Sequence, residues 1–301
     1  MTILVTGGTG FLGSRLKHHR PSWFYTSSKQ LDLLDYREVK HALVFLKPKV
    51  IIHLAGRVGG IKANAENPVQ FLEENIQMNH NLLKAANETN TPRVLSSLST
   101  CAFPDVVKEY PFAEEDMMSG PPAETNYTYG CAKRLLHIHS MAYNKQHGRQ
   151  YTTFSPSNIY GIGDHFDDDS SHFISALIGK ISKAKNGDKI ELWGTGTPLR
   201  QPLYVDDLCR IIPILMGKHL SDIPLLVTPN ENLTIKEMAE IGAKAVGKDI
   251  KFVFNGKLDG QHRKDGSNKK LIKLIGNPDF TSFEEGFKTT YEWYENNIKQ
   301  Q

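Results

Sequence analysis

The chain has 301 residues, with 36 Lys and Arg against 33 Asp and Glu for a formal charge of +3, and 39% hydrophobic and 23% charged residues. That length suits one large domain or two interlocked ones, and the ordinary composition and near-neutral charge exclude intrinsic disorder and a global field for nucleic acid or an anionic membrane. Only three cysteines occur, Cys101, Cys131 and Cys209, without metal-type spacing; a disulfide framework and a metal site are excluded, and a reducing, cytoplasmic setting is expected.

A buried-strand pattern begins at once with Ile3–Val5, which predicts no leader segment, and no apolar run approaches the ~18–20 residues of a membrane span. Further strands are predicted at Trp23–Thr26, Val50–Leu54, Val94–Ser97 and Tyr151–Ser155, alternating with helical patterns. One helix runs over Val69–Glu88, with Phe71, Asn75, Met78, Leu82 and Ala85 on one stripe; another runs from Asn126 to His147. This grammar predicts an α/β fold, a doubly wound parallel sheet. After Tyr160, Gly161, Gly163, the acids Asp167, Asp168 and Asp169, then Gly187, Gly194, Gly196 and Pro198 break the chain into smaller pieces. The expected division is a nucleotide-binding unit over 1–162 and 200–228, interleaved with a smaller substrate unit over 163–199 and 229–301.

Between the first strand and its helix stands Gly7-Gly8-Thr9-Gly10-Phe11-Leu12-Gly13. Glycines at 7, 10 and 13 permit a tight turn and close approach to a pyrophosphate, whose charge suits a helix N-terminus. An NAD site wants an acid at the end of the second strand, where this chain has Thr26-Ser27-Ser28-Lys29. Hydroxyls and a lysine suit a 2′-phosphate, so NADP is expected, with Ser28 and Lys29 on the phosphate and Asp32 left as a loop acid.

Tyr129 and Lys133 lie four apart and share a helical face, and a nearby cation is expected to favour the phenolate. With the glycine loop and a fourth strand ending in Ser97-Leu98-Ser99-Thr100-Cys101, this set resembles the extended short-chain dehydrogenase/reductase family, which uses a Ser, a Tyr and a Lys on such a scaffold. His53-Leu54-Ala55-Gly56 is similar to a structural motif of that family. The order of Val58-Gly59-Gly60-Ile61, Ser99 to Pro104, Gly120-Pro121-Pro122, Ser171-His172-Phe173-Ile174, Trp193-Gly194-Thr195-Gly196 and Asp259-Gly260 resembles its branch of epimerase–reductases of GDP-sugars. Two departures, Ile162 where proline is common and Lys180 where arginine can occur, remove no reactive group.

The reaction this resemblance implies is epimerisation of GDP-4-keto-6-deoxy-D-mannose at C3 and C5, then NADPH-dependent reduction at C4, giving GDP-L-fucose. Both epimerised carbons flank the ketone, so loss of either proton yields an enolate, with Ser99 and Tyr129 as candidate donors to its oxygen. By the same resemblance Cys101 is the base, His172 the acid on the opposite face, Tyr129 the proton donor to the C4 oxygen, and Lys133 the group that holds the nicotinamide ribose. Leu54, Ala55, Leu98, Pro156, Ser157, Asn158, Ile159 and His172 are expected to join the glycine loop around the cofactor, and Lys180, Trp193, Arg200 and Asp259 to bind the GDP-sugar.

The blander alternatives are a 4-epimerase or 4,6-dehydratase of the same family, or a non-catalytic NADP-sensing protein. A dehydratase normally wants an acid beside the serine, where Thr100 and Cys101 stand, and a sensor predicts damage to the Ser-Tyr-Lys set, which is intact. Cys131 and Cys209 are expected to be inert, His53 structural, Lys183, Lys185 and Lys189 a solvated helix face, and the basic runs His262-Arg263-Lys264 and Lys269-Lys270 not an RNA site. A homodimer is expected through the two long helices, with Leu83, Leu136 and Met141 supplying spare apolar surface.

Overall fold

The computed structural model describes residues 1–166, 171–218, 223–257 and 259–299; the acidic run Asp167 to Asp169 lies outside the described residues. The first half alternates as expected: β1 (Ile3–Thr6), α1 (Phe11–His19), β2 (Phe24–Thr26), α2 (Tyr36–Leu46), β3 (Val50–His53), α3 (Ile61–Glu66), α4 (Pro68–Glu88), β4 (Arg93–Ser97), α5 (Tyr127–His147) and β5 (Gln150–Pro156). Local chemistry sets several of these bounds. Asp35 caps α2 by accepting from the amides of Arg37 and Glu38, Pro68 opens α4 where its missing N–H costs nothing, and Gly148 closes α5 at φ +62°.

The second half continues through β6 (Asn158–Tyr160), α6 (Phe173–Lys183), β7 (Lys189–Leu192), β8 (Leu199–Arg200), β9 (Pro202–Tyr204), α7 (Val205–Met216), β10 (Leu225–Val227), β11 (Leu233–Thr234), α8 (Ile235–Ala245), β12 (Lys251–Phe254), β13 (Arg263–Lys264), α9 (Lys269–Ile275) and α10 (Phe283–Asn297). Six strands form one parallel sheet in the order β10-β5-β4-β3-β1-β2. The order reverses between β1 and β3, so the crevice at their carboxyl ends is the place where such a sheet receives a ligand.

Strand alternation splits the sheet's side chains into two cores. Leu4, Ile51 and Val94 pack with Leu82, Leu83 and Leu136 of α4 and α5, whereas Val5, Ile52 and Leu95 pack with Leu16 of α1 and Leu208 and Ile212 of α7. A third cluster, including Leu177, Ile181, Leu192, Met238 and Phe287, joins α6, α8 and α10 beside the short sheets β12-β7 and β11-β8-β13.

One expectation is overturned here. Leu83 and Leu136 are 0% and 1% exposed and belong to the sheet-facing core, because α4 and α5 pack broadly against each other as well as on the sheet. The large apolar residues exposed on these helices are Val69, Tyr127, Leu135 and Ile138, and Met141 is half-buried. Among the described residues no helix is long and apolar enough to cross a membrane.

Candidate active site

The glycine loop is built for close approach. Gly7 sits at φ +72°, and a Cβ there would lie 2.7 Å from the Ala55 amide nitrogen; one on Gly13 would lie 2.1 Å from the Gly7 carbonyl oxygen. The turn after β1 therefore closes against both α1 and the residues following β3. Gly10 caps α1 without a side-chain partner, which leaves the first-turn amides to an anion.

Beneath this turn His53 accepts and donates between Thr6 Oγ1 at 2.8 Å and Asn79 Oδ1 at 2.9 Å. Burial, partly countered by Asn79, pushes His53 down to about 4, so it is a neutral tie between β1, β3 and α4, as its structural assignment predicted.

The remaining cofactor residues follow the carboxyl ends of the strands. Ser28 and Lys29 are exposed after β2, Leu54 and Ala55 follow β3, Leu98 follows β4, and Pro156, Ser157, Asn158 and Ile159 join β5 to β6. Asp32 accepts from the Leu34 amide at 2.9 Å, a local turn contact. Ser157 Oγ and Asn158 Oδ1 are buried without a hydrogen-bond partner among the described residues. Buried orphans at the carboxyl end of β5, on the same edge of the sheet as the glycine turn, fit a bound dinucleotide that would satisfy them.

The reactive cluster forms where β4 ends. Ser99 caps a single 3₁₀ turn over Thr100–Ala102, its Oγ accepting from the Cys101 amide at 3.2 Å, and this turn holds the thiol beside Ser99. Cys101 Sγ accepts from Lys264 Nζ at 2.9 Å and from Asn126 Nδ2 at 3.1 Å. Burial raises the thiol's proton affinity, but the Lys264 cation, helped by Ser99 and Arg200, outweighs it and leaves Cys101 below the usual thiol range.

On α5, Tyr129 and Lys133 do share a face, with Nζ 5.7 Å from the phenol ring centroid. The expected ionisation of Tyr129 is not found. Burial and the neighbouring Cys101 charge raise its pKa, with Ser99 working the other way, so the phenol stays protonated. Lys133 spends its charge elsewhere: Nζ donates to the Ser97 carbonyl at 2.9 Å, and burial pushes it down to about 8 against the pull of Cys101.

The outer residues are more dispersed. Arg200 neighbours Cys101 and Asp259 electrostatically, and burial lowers its pKa. Asp259 accepts from Thr195 N at 3.0 Å and Thr195 Oγ1 at 2.6 Å, which fastens the Trp193-to-Gly196 turn. Trp193 is 70% exposed, and Lys180 Nζ reaches the Glu191 carbonyl at 3.2 Å. His172 is exposed at the N-cap of α6, with Asp164 as a charged neighbour and no hydrogen bond to the Cys101 cluster among the described residues.

Lys264 and Asn126 are the residues that sequence reading missed. Lys264 stands in a basic run that carries no mark of a site, yet it is 7% exposed and meets a sulfur 163 positions away. Elsewhere His19, Asp206 and Cys209 bring ligand-type atoms within 4.8 Å of one another. Arg15 already holds both Asp206 oxygens, at 2.5 and 2.7 Å, and burial pushes the Cys209 thiol up to about 12, so that cluster is an ion pair joining α1 to α7.

Comparison with known proteins identifies the family of this fold. The NAD dependent epimerase/dehydratase family matches residues 3–224. A probable GDP-L-fucose synthase of Drosophila melanogaster is 35% identical, covering 99% of this chain and 98% of its own length. The GDP-L-fucose synthase of Dictyostelium discoideum is 34% identical, covering 99% and 96%. The crystal structure of a GDP-L-fucose synthetase from Naegleria fowleri bound to NADP superimposes with a TM-score of 0.89 at 34% identity, covering 99% of this chain and 93% of that one. On a family match over most of its length and relatives that align from end to end, the chain belongs to the NAD dependent epimerase/dehydratase family.

Proposed function

We propose that the protein is an NADPH-dependent epimerase–reductase that converts GDP-4-keto-6-deoxy-D-mannose to GDP-L-fucose. The observation that carries this reading is the Cys101 sulfur, held by Lys264 and Asn126 beside Ser99 and Tyr129. A ketoreductase needs only a proton donor at the carbonyl; a compensated sulfur in addition provides a base for carbon acids. Relatives named for GDP-L-fucose synthesis, and an NADP-bound one among them, support the substrate and the cofactor.

The thiolate of Cys101 takes the proton from C3, gives it up to solvent, and as thiolate again takes the proton from C5, while Ser99 and the protonated Tyr129 stabilise the enolate oxygen. Inversion needs a proton returned on the other face, the role assigned to His172. The glycine cradle would hold NADPH, with Ser28 and Lys29 available to its 2′-phosphate, and the cofactor would supply the hydride that C4 needs. Tyr129 donates the proton to the C4 oxygen, which its raised proton affinity keeps available, and Lys133 orients the nicotinamide ribose. Lys180, Trp193, Arg200 and Asp259 are assigned to the GDP-sugar, Arg200 by a planar fork suited to phosphate.

The interleaved division into a cofactor unit (1–162, 200–228) and a substrate unit (163–199, 229–301) belongs to this proposal, with the separate cluster around α6, α8 and α10 in its favour. So does a homodimer through the exposed Val69, Leu135 and Ile138, in a cytoplasmic setting consistent with three free cysteines. Incubation of the purified protein with the GDP-keto-sugar and NADPH should yield GDP-L-fucose. A 4-epimer with unchanged C3 and C5, or no product, would overturn the reading.

A further inference from the structure

The cation on Cys101 arrives from the far end of the chain. β13 runs parallel to β8 with Lys264 opposite Arg200, so one small sheet carries two cations toward the turn that follows β4. A buried ammonium needs a counter-charge. Among the described residues no carboxylate pairs with Lys264, and the neighbouring Asp265 is committed to Arg263 at 2.7 Å. The hydrogen-bond acceptor it does have is Cys101 Sγ.

We propose that Lys264 is a positioning residue for the base of the epimerase steps: its ammonium fixes Cys101 Sγ in place and compensates the negative charge that the sulfur must carry before it can draw a proton from carbon. The role rests on the epimerase–reductase reading above. Asn126 is the second donor to the sulfur, from the residue preceding α5, and completes a two-point mount. The other groups facing Cys101 are Ser99 on its own turn, Tyr129 and Lys133 from α5, and Arg200 from β8. Of the three cations, Lys133 donates to Ser97 and Arg200 to its neighbour Leu199, and only Lys264 hydrogen-bonds the sulfur. In the reaction the thiolate becomes a thiol by taking the carbon-bound proton, which passes to solvent before the next abstraction.

The test is the ultraviolet titration of the thiolate without substrate, taken as wild type minus Cys101→Ser so that tyrosines and the other cysteines cancel. In Lys264→Gln the midpoint should rise by about 1–3 pH units, and Lys264→Arg should restore most of the shift. The acid limb of kcat/KM should move up in step, with kcat at neutral pH falling more than KM rises. An unchanged midpoint in Lys264→Gln, or a rise in KM alone as expected of a phosphate-binding lysine, would overturn the proposal. Should Lys264→Gln fail to fold, the wild-type midpoint decides: a value at or above the ordinary ~8.5 of a free thiol rejects it. Because this titration needs no turnover, failure of the wild type to convert the GDP-keto-sugar would strike the functional reading separately, leaving the Lys264–thiolate pair standing as an electrostatic fact.

Discussion

Lys133 Nζ and the Ser97 carbonyl oxygen meet at 2.9 Å, so α5 is fastened to the last residue of β4 by a buried lysine that, among the described residues, has no carboxylate partner. The cost of that arrangement is measurable. Its pKa of about 8 in the fold lies below the usual 10.5, so between those values the unfolded chain keeps a proton the folded chain has lost, and this residue's contribution to stability rises with pH. Below the window, charging the buried amine costs on the order of 3 kcal/mol. Lys133→Met should therefore unfold at equal or higher urea concentration than wild type at neutral pH, with the advantage fading as pH rises toward about 10. Its reductase activity should fall roughly 100-fold or more. A mutant less stable than wild type at neutral pH by several kcal/mol would contradict this account.

Proton removal and hydride transfer are separable. Cys101→Ser should suppress deuterium incorporation from heavy water at C3 and C5 by about 100-fold, while NADPH titrates the protein normally. Exchange at the wild-type rate would remove Cys101 from the chemistry. His172→Gln should slow or misdirect proton return and change the product mixture; an unchanged product and rate would return His172 to the surface.

The loop after β2 should set the choice of cofactor. NADPH is expected to bind more tightly than NADH, and Lys29→Ala should weaken NADPH roughly tenfold while leaving NADH nearly unaffected, as measured by fluorescence titration. Equal affinity for both cofactors in the unmodified protein would contradict the assignment of Ser28 and Lys29.

Two neighbouring substitutions on α5 distinguish interface from core. Ile138 is 44% exposed and Leu136 is 1% exposed. Ile138→Glu should leave the fold intact and lower the mass seen by light scattering from twice the 33.9 kDa chain toward one chain. Leu136→Glu should cost about 3–5 kcal/mol through an unpaired buried carboxylate and lower the melting temperature. Unaltered mass for Ile138→Glu at micromolar concentration would place any dimer contact elsewhere.

Much of this architecture was legible in the chain because it depends on neighbours in sequence. The glycine turn, the β-branched strands and the Tyr129–Lys133 face follow from short-range stereochemistry, and all stand where they were expected. What could not be read there depends on the surroundings. Leu136 looked available because one helical stripe was assigned to the sheet, but α5 also packs on α4 and buries it. The Tyr129 phenol looked ionisable beside a cation, but desolvation outweighs a lysine whose hydrogen bond goes to a carbonyl. Lys264 carried no local mark of its role, since its partner is fixed by the parallel pairing of β13 with β8.

That pairing also sets an order of events during synthesis. Cys101 precedes Lys264 by 163 positions, so at about 5–20 residues per second a nascent chain carries the thiol for roughly ten to thirty seconds before its cation exists. The two-point mount of Cys101 is therefore finished late: Asn126 is made soon after the thiol, while Lys264 reaches it only when β13 is laid beside β8.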